Sequence, residues 1–280
     1  MAPSFAIAFG GGGARGLAHI HVIEALDELG IRPVAISGSS IGAIMGAAMA
    51  SGMSGREIHD YARSILGRGS TIASRMWRAR PESFAEVMQE GIHVSQFNIL
   101  RILHAFLPSN IPGRFEELDI PLKVTGTDYY GHRLAVFDSG DLHSALAASA
   151  AIPAVFRPVV RDGVTYIDGG IYNPVPFDLL SGVADILIAI DVVGAPEVMQ
   201  HARPNSLDLM FGATQLMMQS IIAAKLEQCS PDILLRPPVS RFRALDFMKI
   251  DAVLKETAAV KEDLKRSVER LMEAGAAASG

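Results

Sequence analysis

The chain has 280 residues, of which 49% are hydrophobic and 20% are charged, so it is long and apolar enough to bury a large core. Its formal net charge of −5 argues against nucleic-acid binding, which normally needs a basic face. The single cysteine, Cys229, cannot form an internal disulfide, and nothing in the composition indicates an oxidising compartment.

The amino-terminal residues are typical of a strand rather than of a targeting signal. Residues 1–9 lack a basic segment and lead directly into a run of glycines, unlike a secretory signal peptide. No stretch reaches about 18 uninterrupted apolar residues, so we expect no membrane span. We therefore expect a cytoplasmic protein, and peripheral membrane contact stays an open alternative.

The first fifty residues alternate between strand and helix patterns. Residues 4–9 and 33–37 predict buried strands, and residues 41–50, rich in alanine and methionine, predict a helix. The helix between the two strands ends near Gly30 and carries apolar side chains at helical spacing, namely Leu17, Ile20, Ile23, Leu26 and Leu29. This order predicts an α/β fold with parallel strands and right-handed crossovers.

The alternation continues less regularly toward the end of the chain. A helix is predicted over residues 142–151, and one long amphipathic helix over residues 250–272, with a tail that frays from Ala274. The pattern also predicts a turn near Gly131 and strands at residues 122–127, 133–137, 164–167, 184–192 and 232–235. We expect one domain over residues 1–280.

Residues 67–113 interrupt the alternation with apolar and aromatic side chains among basic residues and prolines. We expect short helices without a strand here, forming either a lid or pocket wall near the site or extra cover for a sheet face. Trp77, which lies among arginines, is either an interfacial anchor or an ordinary exposed aromatic.

Residues 10–16 read GGGGARG and present backbone N–H groups that no side chain obstructs. Gly11, Gly13 and Gly16 satisfy G-x-G-x-x-G, but no carboxylate near the end of the second strand is available for a ribose, and no Gly-Lys-Ser/Thr follows. An oxyanion hole fits better, because preorganised N–H groups and the start of a helix stabilise a developing negative charge. Arg15 either holds this loop or contacts an anionic head group, or it is simply solvated.

Residues 38–42 read GSSIG, which sets Ser40 in the G-x-S-x-G spacing of a strained strand-to-helix turn. Such a turn exposes a hydroxyl as acyl transfer requires of a nucleophile. The serine also needs a base, and none of the eight histidines lies in a recognisable catalytic context. His201, in a polar connection, is at a possible late-loop position, and a surface or structural role is favoured for all eight.

A carboxylate can take the place of the missing histidine, and Asp168 is the best candidate. It ends a predicted strand and precedes Gly169 and Gly170, so a tight turn leaves the carboxylate at the edge where parallel sheets form their sites. The ordinary aspartate pKa of about 3.9 makes a weak base, which burial would have to raise. Other candidates without the glycine pair are Asp128, Asp138, Asp141 and Asp191.

Four motifs together resemble those of the patatin-like phospholipases, in particular small bacterial members related to the catalytic part of neuropathy target esterase. The motifs are GGGARG at 11–16, GSSIG at 38–42, ASAAIP at 148–153 and DGG at 168–170. The resemblance covers about residues 5–192, the motif-bearing core, and leaves a C-terminal helical extension at residues 207–273 outside it. It implies a three-layer α/β/α sandwich with a mainly parallel central sheet.

The resemblance also implies a serine acyl hydrolase, whether phospholipase, lysophospholipase or carboxylesterase, without a cofactor or metal. Ser40 would attack the ester, Asp168 would accept its proton, and an acyl-enzyme would form. The N–H groups of Gly11, Gly12 and Gly13 would hold the oxyanion. Residues that would support this site are Arg15, Gly16, Gly38, Gly42, Gly169 and Gly170.

Two other functions stay open at this point, an acyltransferase that uses the same site and a non-catalytic binding platform. The expected partner is a lipid or acyl-ester substrate. A homo-oligomer is an open alternative, because the C-terminal amphipathic helix would serve a dimer as well as its own core. The methionine-rich helix around residues 209–222 would line an acyl pocket or, the interpretation we favour, pack in the core.

Overall fold

The computed structural model describes residues 3–78, 97–197 and 205–278. Their strands are β1 (Phe5–Phe9), β2 (Ala35–Ser39), β3 (Leu122–Asp128), β4 (Arg133–Phe137), β5 (Val159–Arg161), β6 (Val164–Asp168), β7 (Ile186–Ile190) and β8 (Ile233–Leu235). The helices are α1 (His19–Glu28), α2 (Ile41–Ala50), α3 (Gly55–Leu66), α4 (Gly69–Arg78), α5 (Ile99–Phe106), α6 (Leu142–Ser149), α7 (Ser206–Gln228), α8 (Ile250–Thr257) and α9 (Val260–Ala278).

The strands form one mixed sheet in the order β5-β6-β3-β2-β1-β7-β8, and β4 also pairs with β3. The pairs β1–β2, β1–β7, β2–β3 and β7–β8 are parallel. The pairs that β3 makes with β4 and β6, and that β5 makes with β6, are antiparallel. The central part of the sheet is therefore parallel, as the alternation of the first fifty residues predicted.

Side chains of β1 alternate between two cores, because successive residues of a strand point to opposite faces. Ile7 and Phe9 lie in the larger core, which α1, α2, α8 and α9 also enter. Ala6 and Ala8 lie in the smaller core, to which α7 contributes Ile222. Helices thus cover both faces of the sheet, and the predicted three-layer α/β/α sandwich is confirmed.

The C-terminal region differs from its prediction. The single helix expected over residues 250–272 is two helices, α8 and α9, separated by a turn at residues 258–259. The Thr257 hydroxyl donates to the Val253 carbonyl oxygen at 2.9 Å, a local hydrogen bond that bends helices. Helix α9 then extends to Ala278, beyond the residue where we expected fraying. The strand predicted at residues 232–235 is confirmed, since β8 pairs with β7.

Two elements were not predicted, α3 and the short edge strand β5. Helix α3 begins with a capping box, in which the Ser54 hydroxyl accepts the Glu57 N–H and the Glu57 carboxylate accepts the Ser54 N–H. This Ser-x-x-Glu pattern is a sequence signal for a helix start that we overlooked. Among the described helices, none is both long and apolar enough to cross a membrane.

The described part of residues 67–113 contains α4, α5 and an isolated bridge at Phe97, in keeping with short helices and no strand. Residues 79–96 lie outside the described residues, as do the side chains of residues 76–78. The two alternatives for Trp77, an interfacial anchor or an ordinary exposed aromatic, therefore stay open, and so do the two for this region, a lid or pocket wall and extra cover for a sheet face.

Candidate active site

The edge of β3 brings Ser40 and Asp168 together. Strand β2 runs parallel along this edge and ends with Ser39 opposite Thr125, while β6 runs antiparallel and ends with Asp168 opposite Gly126. The last residues of β2 and of β6 therefore lie next to each other along β3. We expected Asp168 at the carboxyl edge of a parallel sheet, and the structure places it next to Ser40 by this different route.

Ser40 occupies a strained turn between β2 and α2. Its backbone lies at φ 54° and ψ −124°, a region that residues other than glycine rarely adopt. The neighbouring glycines allow close packing of this turn. A Cβ at Gly42 would lie 2.2 Å from the Phe9 carbonyl oxygen, and one at Gly38 would lie 2.5 Å from the Ala43 Cα. The G-x-S-x-G spacing is thus a requirement of space as well as of conformation.

The Ser40 hydroxyl donates a hydrogen bond of 2.7 Å to Oδ2 of Asp168. The other carboxylate oxygen, Oδ1, accepts the Gly170 N–H at 2.8 Å, and the Thr127 hydroxyl donates to the Asp168 backbone carbonyl. Both Ser40 and Asp168 are buried. The carboxylate is therefore held from two sides with one oxygen aimed at the serine.

Burial raises the pKa of the Asp168 carboxyl to about 6, while the hydrogen bonds from Ser40 and from the Gly170 N–H oppose this rise. A carboxylate with a higher pKa accepts a proton more readily, and a base works best when its pKa lies near the operating pH. The weakness expected of an aspartate as a base is therefore reduced in this environment.

Ser149, at the end of α6, holds the Ser40 turn. Its hydroxyl oxygen accepts the Ser40 N–H at 2.8 Å, and the side chain is completely buried. Without this partner the N–H of a strained, buried turn would have none. The ASAAIP motif contains Ser149, but we assigned it no role, because a contact between residues so distant in sequence leaves no local pattern.

The glycine loop directs some of its N–H groups into the protein. Gly10 N–H donates to the Ile190 carbonyl and Gly11 N–H donates to the Pro174 carbonyl, at 2.9 and 2.8 Å. Among the described residues, the N–H groups of Gly12 and Gly13 have no such acceptor. The expectation that Gly11 also faces an oxyanion does not agree with this conformation, in which its N–H is already bound.

Arg15 is buried behind this loop, and its Nε donates to the Gly12 carbonyl oxygen at 2.9 Å. Burial lowers the pKa of the guanidinium to about 10, and the charge of Asp191 opposes the shift, so Arg15 is protonated at neutral pH. Of the predicted roles, holding the loop is the one these contacts support. Arg15 also lines the cavity over Ser40.

Two more of the predicted glycines, Gly16 and Gly169, lie where the protein has no room for a side chain. A Cβ at Gly16 would lie 2.3 Å from the Ile41 side chain, and one at Gly169 would lie 2.3 Å from the Thr125 carbonyl oxygen. Gly170 supplies the N–H that holds Asp168. Of the residues predicted for the site, those that line one cavity are Gly11, Gly12, Gly13, Arg15, Ser40 and Asp168.

The histidines that the structure describes make no hydrogen bond to Ser40 or Asp168. His19 is fully buried with its Nε2 2.8 Å from the Gly10 carbonyl oxygen, and burial lowers its pKa to about 4, so it is neutral. This contact with Gly10 holds the start of the glycine loop, a structural role that fits the prediction for the histidines. His201 lies outside the described residues.

A cavity of about 670 Å³ opens over Ser40 and Asp168. One wall is α7, which contributes Met210, Phe211 and Met218, and the opposite wall is formed by residues 240–246. Our preference for core packing of the methionine-rich helix is therefore wrong for Met210 and Phe211, whereas Met218 both lines the cavity and packs against the smaller core, where Ile222 is buried. The cavity is a mainly apolar space over a hydroxyl that is hydrogen-bonded to a carboxylate.

The sequence matches one protein family and is similar to several known proteins. The sequence profile described as patatin-like phospholipase matches residues 7–181. An uncharacterized NTE family protein of Mycobacterium bovis is 37% identical over 208 residues, 72% of this chain and 53% of the relative. Lysophospholipase NTE1 of Coccidioides immitis is 28% identical over 274 residues, 89% of this chain and 17% of the relative. The chain thus spans about half the length of the mycobacterial protein.

Among solved structures, VipD from Legionella pneumophila aligns with a TM-score of 0.47 and 14% sequence identity. The alignment covers 93% of this chain and 66% of that one.

Proposed function

Because the chain belongs to the patatin-like phospholipase family, we propose that it hydrolyses acyl esters of lipids through a Ser40–Asp168 dyad. The single observation that carries this proposal is the 2.7 Å hydrogen bond from the Ser40 hydroxyl to a buried carboxylate at the floor of an apolar cavity. A hydroxyl in this position has both a proton acceptor and access to a substrate.

In the first step, Ser40 Oγ attacks the ester carbonyl carbon while its proton passes to Oδ2 of Asp168. The former carbonyl oxygen becomes an oxyanion, which the free N–H groups of Gly12 and Gly13 stabilise. One preorganised donor of this kind contributes about 2.7–4 kcal/mol at the transition state. The bond to the leaving alcohol then breaks, the alcohol oxygen takes the proton from Asp168, and an acyl-serine remains.

In the second step, water attacks the acyl-serine and gives a proton to Asp168. The same N–H groups hold the second oxyanion. The bond between the acyl carbon and Ser40 Oγ breaks, the serine oxygen regains the proton from Asp168, and the fatty acid leaves. One carboxylate therefore serves as base and then as acid in both halves of the reaction.

A lysophospholipid or phospholipid is the substrate class that we propose. The apolar wall formed by Met210, Phe211 and Met218 suits an acyl chain, since methionine adapts to irregular shapes. Arg241 and Arg243 lie on the opposite wall, where a phosphate would find donors. The name lysophospholipase, borne by the Coccidioides relative, supports the same class.

Labelling with a fluorophosphonate probe tests the dyad. We expect the wild-type protein to react and Ser40→Ala to be unlabelled, because the probe phosphonylates an activated serine. Ser51→Ala is a matched control, since Ser51 lies just after the end of the same helix and its hydroxyl donates only to the Ala48 carbonyl. A Ser40→Ala protein that labels as strongly as the wild type would place the reactive hydroxyl elsewhere.

Replacing Ser149 with alanine is expected to lower kcat for a soluble ester about tenfold, with little change in KM, because the buried Ser40 N–H loses its acceptor. Initial rates with a p-nitrophenyl ester give both constants. Ser144→Ala on the same helix removes a hydroxyl that bonds only to Asp141, at the far end of the helix from Ser149, so its kcat should not change. An unaltered kcat in Ser149→Ala would show that the turn keeps its shape without this hydrogen bond.

A further inference from the structure

Helix α7 is apolar on its exposed side as well as on its packed side. The exposed side, which we call the outer face, consists of Leu209, Met210, Ala213, Leu216 and Met217. The side chains of Leu209, Leu216 and Met217 are 58%, 57% and 60% exposed. These positions repeat at helical spacing and therefore form one stripe.

The outer face carries no charge. No lysine, arginine, aspartate or glutamate occurs between Leu209 and Ala224. The opposite side of the helix packs against the rest of the protein, since Ile222 is buried in the smaller core and Met218 lies next to Gly170. A continuous apolar patch of this kind on a protein surface marks a site of interaction rather than a surface adapted to water.

The outer face borders the opening of the cavity over Ser40. Met210 belongs to both, because it is 43% exposed and also lines the cavity. Across the opening, Leu245 is 44% exposed and lines the cavity too, and the nearby Met248 is 66% exposed. Exposed apolar side chains thus lie on both sides of the entrance.

We propose that the outer face of α7 docks on a lipid surface and brings the cavity entrance against it. The proposal rests on the proposed function, in which the substrate is itself a lipid. A second copy of the chain or another protein seated on this face would lie across the entrance. A lipid surface on the same face delivers the substrate into the cavity, so it is the occupant compatible with turnover.

The charges around the entrance decide which lipid surface fits. Three basic side chains near the entrance each form an ion pair with an acidic side chain. The pairs are Arg241–Glu256 at 3.0 Å, Lys249–Asp246 at 2.8 Å and Arg243–Asp208 at 3.5 Å. Among the charged side chains around the entrance that the structure describes, these pairs leave no basic excess, and the whole chain has a net charge of −5. Docking is therefore driven by apolar insertion and takes place on neutral phosphatidylcholine without help from anionic lipids.

Co-sedimentation with phosphatidylcholine vesicles tests the docking. We expect the wild-type protein to bind the vesicles equally at low and high salt. The double variant Leu216→Glu, Met217→Glu should bind more than about tenfold more weakly, because two apolar side chains of the stripe become charged. Neither residue lines the cavity, so hydrolysis of a soluble p-nitrophenyl ester should be unchanged, whereas hydrolysis of vesicle lipid should fall with binding.

The control is Val34→Glu, which likewise introduces a charge at an exposed apolar position. Val34 lies just before β2, at the end of that strand away from Ser40. It should bind vesicles as the wild type does. Equal binding of the double variant, or a wild-type protein that does not bind, overturns the docking proposal. A wild-type dimer that the double variant dissociates overturns it in favour of a second copy. Because binding is measured without turnover, failure of the dyad would leave this result intact.

Discussion

Replacing Asp168 with asparagine is expected to lower kcat/KM for ester hydrolysis by about 10²–10⁴-fold, the contribution of a positioned general base. Asparagine fits the same space. Its Oδ1 can accept the Gly170 N–H and its Nδ2 can donate to Ser40 Oγ, so the turn keeps its partners. The amide cannot accept the serine proton, however, and only the oxyanion contacts and substrate binding remain. Initial rates with a soluble ester measure the loss.

The same substitution should stabilise the folded protein at neutral pH. The pKa of Asp168 is raised by burial from 3.8 to about 6, so the folded state binds its proton more tightly than the unfolded state does. The stability that this group contributes is fully present below pH 3.8 and is lost as the pH rises through about 6. Above that pH a buried charge remains, and its removal should raise the free energy of unfolding by about 1–3 kcal/mol.

Denaturant unfolding at pH 4 and pH 8 checks this sign, since Asp168→Asn should gain stability mainly at pH 8. The wild-type rate should also rise with pH, with a midpoint near the pKa of about 6, because only the carboxylate form is a base. Asp128→Asn is the contrasting control. The Gly131 N–H and then Arg133 lower the pKa of that carboxyl, so the variant should lose stability above pH 4 and keep its activity. A stabilised Asp168→Asn protein with full activity would exclude Asp168 as the base.

The parts of the site that depend on local sequence were predictable. The Ser40 turn requires a strand, two small residues and a helix in immediate succession, and the bounds expected for α2 agree with the structure. The end of β6 at Asp168 followed from the glycine pair after it. In both places the conformation is decided by neighbours in the chain, so the residue pattern was sufficient.

The parts that depend on distant contacts were not predictable. Ser149 bonds a backbone group 109 residues away, and the Gly11 N–H is bound by a carbonyl from the segment after the DGG motif. The direction of β6 was also hidden, because a short apolar strand has the same pattern whether its neighbour is parallel or antiparallel. Helix α7 shows a related limit, since apolar residues around most of its middle do not reveal which face the fold leaves exposed.

The second large effect is expected from Gly13→Ala, which should lower kcat/KM by more than about 10²-fold by disturbing an oxyanion donor. Gly13 has a φ of 61°, and an added Cβ would lie 2.1 Å from the Ala244 carbonyl oxygen. That same carbonyl accepts the Ala14 N–H at 2.7 Å, so it cannot move away without releasing the loop. The Gly13 N–H must therefore turn or shift relative to Ser40.

Gly30→Ala separates the cost of the backbone conformation from the effect on the site. Gly30 has a φ of 66°, close to that of Gly13, but no atom lies within 4 Å of its added Cβ. Both variants should lose about 1–2 kcal/mol of stability from the left-handed backbone, and Gly13→Ala should lose more because of its clash. Only Gly13→Ala should lose activity when both are assayed as folded protein with the same soluble ester. If the two variants retain equal activity, the Gly13 N–H takes no part in binding the oxyanion, and Gly12 would have to do so with another donor.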